Sequence, residues 1–124
     1  MNIRKLIFEG EGVSLDFKKT ITSCEKIART MVSFANNKGG RLLIGVADDG
    51  TIKGVKSDDE ERYMITRAAH LFAKPALEPI FEEVYFSYLI GYKKQKSFYL
   101  LFLRTYIPLF FQHQCSSFLL FLNY

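Results

Sequence analysis

The feature that most constrains this chain is a helix that runs directly into a strand. Ile27, Met31 and Phe34, backed by Ala28 and Ala35, form an apolar stripe at helical spacing. Gly39 and Gly40 then stop the helix, because glycine tolerates the left-handed backbone needed just past a helix C-terminus. Thr22 and Glu25 have capping-box spacing, so the pattern predicts a helix over about residues 23–37. Leu42, Leu43, Ile44 and Val46 follow almost without interruption, as in a strand covered on both faces.

The flanking segments extend this into a layered domain. Val13, Leu15 and Phe17 alternate with Ser14, Asp16 and Lys18, the period-two pattern of a half-buried strand. Asp49-Gly50 is a two-residue hairpin signal, with Thr51–Val55 expected to run back as a partner strand. Ser57 and Glu60 form a second capping box and open a helix through Tyr63, Ile65, Ala68, Ala69 and Phe72, closed by Pro75. A last strand is expected over Ile80–Phe86. The order strand, helix, hairpin, helix, strand predicts an α/β (α+β) domain, a mixed sheet packed with two main helices.

Charge and aromatic content divide the chain near Val84. Residues 1–84 hold 13 Lys/Arg against 13 Asp/Glu, so the net charge of +4 comes wholly from Lys93, Lys94, Lys96 and Arg104 beyond them. Overall basicity is therefore no argument that the first part binds nucleic acid. Six aromatics lie in residues 1–84 and thirteen in the last forty. This break predicts a domain over 1–84, C-terminally incomplete, followed by an atypical tail over 85–124. The tail lacks acids and a steady apolar period, and is expected to be a strand-rich extension, an aggregation-prone edge or, above these, a frame-shifted segment. Its apolar run is broken by Arg104 and Pro108, short of the roughly 20 residues that a membrane-spanning helix needs. The N-terminus reaches Glu9 and Glu11 with no signal-peptide pattern, and Cys24 and Cys115 have no ligand-like spacing. A cytoplasmic protein with reduced thiols and no membrane partner is expected.

Three separated motifs carry a family resemblance. FANNKGGRLLIGVADDGTIKGV (34–55) resembles the signature of the Schlafen AlbA-type domain, a DNA-binding type found in bacterial regulators. EGVSLDFKK (11–19) is similar to that family's acidic-x(4)-acidic-Phe-Lys opening, and KIARTMVSFANNKGG (26–40) to its apolar helix running into Phe-Ala-Asn and a Gly pair. The agreement covers about residues 9–84. Asp16 stands where the family usually has Glu, and the further strand and Pro-Glu-Ser-like loop that usually follow are absent from the pattern here. The resemblance implies a nucleic-acid-binding domain of a bacterial transcriptional regulator, with DNA as partner, RNA as the alternative, and a homo-oligomer as a further option.

Candidate site residues fall into three groups. Lys18 and Lys19 at a strand end, with Asn36, Lys38 and Arg41 around the Gly pair, form the candidate nucleic-acid-binding set, contacting phosphates chiefly through side chains. A helix C-terminus is the wrong dipole end for an anion, and a helix stop alone accounts for the glycines. Glu11, Asp16 and Asp48 match three carboxylates that form an RNA-cleaving site in animal relatives. The resemblance thus implies an alternative catalytic and metal-holding set for Mg or Mn, whereas binding alone needs no cofactor. Against it, Asp48 suits a turn and Glu11 a flexible Gly-flanked start. A third alternative is a non-enzymatic docking module.

The remaining features read as structural. The run Asp58–Glu61 complements a helix dipole. His70 is expected half-buried, His113 carries no case, and Phe34, Tyr63 and Phe72 are expected in the core. No Ser-His-Asp or Cys-His arrangement and no P-loop is present.

Overall fold

The computed structural model describes residues 2–86, 95–103 and 121–122. In chain order the elements are α1 (Ile3–Glu9), β1 (Leu15–Lys18), α2 (Cys24–Asn36), β2 (Gly40–Ile44), α3 (Asp58–Leu71), β3 (Ala73–Lys74), β4 (Ile80–Phe86), β5 (Gln95–Leu103) and β6 (Phe121–Leu122). Four strands form one sheet in the order β1-β2-β5-β4, and β3 pairs with β6. β1 runs parallel to β2, while β2–β5 and β5–β4 are antiparallel, so the sheet is mixed. Among the described residues, no helix is long and apolar enough to cross a membrane.

Strand alternation divides the core into two layers. Leu42 and Ile44 point to one face, where they meet Ile27, Met31, Phe34 and Ala35 of α2 and Ile65, Ala68 and Ala69 of α3. Leu43 points to the other, where it joins Phe17, Leu15 and Val46 under Ile3 and Leu6 of α1. Leu42, Leu43 and Ile44 are all fully buried. Each such side chain contributes about 1.5–3 kcal/mol relative to exposure, so a strand covered on both faces can anchor both layers.

Several expectations are corrected. α1 is a helix the sequence reading did not anticipate; two turns with only Ile3 and Leu6 buried give too short a stripe to register. Val13 lies in a turn and is 73% exposed, so the alternating strand begins at Leu15. The cap of α2 is Ser23, whose side chain accepts from the Lys26 N–H, rather than Thr22. Ser57 caps α3 by backbone position alone, with no side-chain cap bond to complete a box with Glu60. The return arm after Asp49-Gly50 is a single bridge, Val46 to Ile52, rather than a strand. Lys53 and Gly54 both turn their N–H groups onto the Gly45 carbonyl, which ends the pairing. Tyr63 is 62% exposed, because it falls on the outer side of α3. His70 is exposed and lies 3.3 Å from Glu78. Cys24 is a free thiol.

Strand β4 matches its expected span, and the compositional break at Val84 falls inside it. β5, wholly beyond that break, lies between β2 and β4 in the sheet. Residues 104–120, with His113 and Cys115, lie outside the described residues.

Candidate nucleic-acid interface

β1 is an edge strand, and the residues before it are used to close that edge. Its inward backbone groups bond to β2; the outward ones would be open to pairing with another chain. The chain turns back at Gly12, whose N–H donates to the Leu15 carbonyl at 2.8 Å. Glu11 then reaches past this turn and its Oε1 accepts the Phe17 N–H at 2.9 Å. The Lys18 ammonium covers the Phe17 carbonyl at 3.2 Å and lies 2.8 Å from Asp16 Oδ2. A hydrogen bond shared with the Asp16 carboxyl raises the Glu11 pKa above its ordinary 4.5, opposed by the Phe17 N–H and reinforced by desolvation. The acidic-x(4)-acidic-Phe-Lys motif is thus an edge clamp.

The Gly pair has an equally local explanation. Gly39 has φ +91° and Lys38, before it, φ +70°, so the chain leaves α2 through two left-handed residues. The Asn37 and Gly39 N–H groups both donate to the Phe34 carbonyl, at 3.0 and 2.7 Å. Gly40 is needed for a different reason. A Cβ there would lie 2.3 Å from Cγ of the buried Phe34 ring. Phe34, Gly39 and Gly40 form one packing unit. Asn36 and Lys38 are exposed on its outer side, and Arg41 is half-buried.

The expected acidic trio is only partly assembled. Glu11 and Asp16 are neighbouring carboxyls, whereas Asp48 stands exposed in the turn after β2. Among the described residues, no group of three or more His, Cys, Asp or Glu side chains could hold a metal ion. With one Glu11 oxygen bound to a backbone N–H and Asp16 facing a lysine ammonium, the residues present do not fit such a centre.

The expected basic set separates into two places. β1 and β2 are parallel, with Leu15 beside Arg41 and Lys18 beside Ile44. Asn36, Lys38 and Arg41 therefore lie where β2 begins, and Lys18 and Lys19 where β1 ends. Three residues of strand, about 10 Å at roughly 3.3 Å each, separate the two levels. Lys18 is held by Asp16 and Lys19 is exposed.

Sequence reasoning passed over two features at the Lys19 end. One is Glu61, the last acid of the run opening α3. It is 8% exposed and accepts from the Thr20 hydroxyl and from the Ile21 N–H at 2.9 Å. Its position four residues after the Ser57 cap, next to Ile65 by helical spacing, was the available signal. The other is the pair Lys53 and Lys56, brought to this end by the loop that follows Gly45.

A mixed sheet with α2 and α3 on one face, α1 on the other, and a parallel edge pair closed by an acidic clamp defines a small two-faced α/β domain. The family model described as Schlafen, AlbA_2 matches residues 11–107, which include β1, β2, β4 and the whole of β5. The chain belongs to that family, which is associated with nucleic-acid binding. No curated protein compared with the chain matches it.

Proposed function

We propose that this chain binds nucleic acid, duplex DNA foremost, through the phosphate backbone, as a binding domain of a bacterial transcriptional regulator in the cytoplasm. The observation that carries the reading is the placement of exposed Lys19 and Lys38 on short loops, with exposed Asn36 at the end of α2, at the two ends of the parallel β1–β2 pair. Loops held by a rigid scaffold are where binding residues concentrate. Phosphate contacts position a protein on a duplex without reading its sequence, and so suit lysines more than a built pocket. Balanced charge over residues 1–84 limits the number of such contacts and predicts modest affinity.

The test is retention of labelled duplex DNA and hairpin RNA by the full chain across a salt series, with and without magnesium. Salt-sensitive DNA binding without cleavage is the expected result; affinity that does not fall with salt refutes the phosphate reading. Magnesium-dependent RNA cleavage that stops with chelator and with Asp48→Asn would instead point to a metal-dependent endoribonuclease, for which the described residues form no fitting metal site.

A further inference from the structure

The loop that leaves β2 brings two exposed lysines, Lys53 and Lys56, to the end of the sheet where Lys19 follows β1. Gly45 has φ +88°, and a Cβ there would lie 2.9 Å from the Gly54 backbone, so the loop's two ends pass with no side chain between them. The Gly45 N–H donates to the Lys18 carbonyl at 2.7 Å, and the Gly45 carbonyl accepts from the Lys53 N–H at 2.7 Å. One residue therefore bridges the backbone of Lys53 to that of the residue preceding Lys19. Next along the chain, Val55 is buried, and Lys56 emerges just before the Ser57 cap of α3. The first turn of α3 returns to the same place, because Glu61 binds the Thr20 hydroxyl and the Ile21 N–H, immediately after Lys19.

We propose that Lys19, Lys53 and Lys56 form the principal phosphate-contact surface of this domain, taking the backbone of duplex DNA at the end where β1 and β2 finish. This rests on the nucleic-acid reading above and names its surface. All three side chains are exposed; the Lys53 N–H is bonded to the Gly45 carbonyl, Lys19 lies between the bonded residues Lys18 and Thr20, and Lys56 lies between buried Val55 and the Ser57 cap. Lys18, beside them, is already held by Asp16. Asp48 and Asp49 in the same loop, and Asp59 and Glu60 on α3, flank the lysines, so the surface works by placement rather than by net charge. Asp49 is further bound to the Thr51 N–H at 2.8 Å. These acids hold the count of neutralised phosphates to about three, which for a duplex gives a log–log salt slope of about −2.7.

The experiment uses the full chain and fluorescence anisotropy with a labelled duplex, measured over a salt series. The variants are Lys19→Ala/Lys53→Ala/Lys56→Ala and the same three positions as Arg. The expected result is that the triple Ala variant loses about 0.9 of slope per phosphate contact, about 2.7 in all. The triple Arg variant keeps the slope. Binding by the unaltered chain with an unchanged slope in the triple Ala variant overturns the proposal but leaves the nucleic-acid reading standing. Absence of binding by the unaltered chain to duplex DNA and hairpin RNA alike overturns that reading itself, and retention of RNA alone overturns the choice of duplex DNA.

Discussion

Replacing Gly40 with alanine tests whether the Phe-Ala-Asn…Gly-Gly signature is a packing unit. The added Cβ would sit 2.3 Å from Phe34 Cγ and 2.6 and 2.7 Å from its two Cδ atoms, where ordinary contact begins near 3.4 Å. The ring would have to retreat by about 1.1 Å, the difference between those distances. It has little freedom to do so: Phe34 is 3% exposed within the layer between α2, α3 and the sheet, and its carbonyl accepts from Asn37 and Gly39. Overpacking of this kind costs about 1–3 kcal/mol, here expected near the top of that range. Loss of glycine's freedom in the unfolded chain returns about 0.4–1 kcal/mol, leaving a net destabilisation of about 2 kcal/mol. In urea this lowers the unfolding midpoint by about 1 M at a typical slope of roughly 2 kcal/mol per M. Phe34→Leu removes ring atoms from the collision, so the double variant Phe34→Leu/Gly40→Ala should be more stable than the sum of the single effects predicts, by about 1 kcal/mol. A midpoint for Gly40→Ala within error of the unaltered chain refutes the argument, and so does strict additivity in the cycle.

Two further outcomes follow from buried or shared carboxyl groups. Glu61→Ala leaves the Ile21 N–H and the Thr20 hydroxyl without their acceptor, which should cost about 2–3 kcal/mol and speed hydrogen exchange at Ile21; exchange at the unaltered rate would show that the contact holds nothing. Glu11 has a folded-state pKa raised above 4.5, chiefly by the bond with Asp16, so its contribution is present in full below that value and is lost as pH rises through the higher folded value. Glu11→Gln, which can still accept from Phe17 and donate to Asp16, should flatten this fall in urea-midpoint measurements from pH 4 upward, and an unchanged pH profile would refute the shared proton.

The fold was legible wherever one period dominated. Ile27, Met31 and Phe34 announced α2, and the unbroken Leu42–Ile44 announced a strand buried on both sides. Other elements were hidden for physical reasons. α1 buries too few residues to show a stripe, and β5 lies in a stretch whose apolar positions keep no steady period. The hairpin signal at Asp49-Gly50 correctly marked a turn, but hydrogen bonds at Gly45 decided that no strand would follow. Site residues were less legible than the fold. A lysine has no periodic signature, and the nearness of Lys53 to Lys19 depends on two backbone hydrogen bonds and a left-handed glycine.

The same structure changes what the family motifs can be used to argue. Phe34 and Gly40 go together because one ring occupies the space a side chain would need. Glu11 and Phe17 go together because the Glu11 side chain closes an otherwise open strand edge, with Lys18 covering the neighbouring carbonyl. Each pairing would be required in any chain with this edge strand and this helix-to-strand passage, whatever it binds. The motifs therefore identify the scaffold with high specificity while leaving its ligand open. Functional groups should then be sought where the scaffold places side chains without needing them for packing. Lys19, Lys53 and Lys56 meet that condition: each is exposed, on or beside backbone that the fold holds in place. Substituting them should accordingly alter binding and leave the unfolding midpoint where it is, the reverse of what is expected at Gly40.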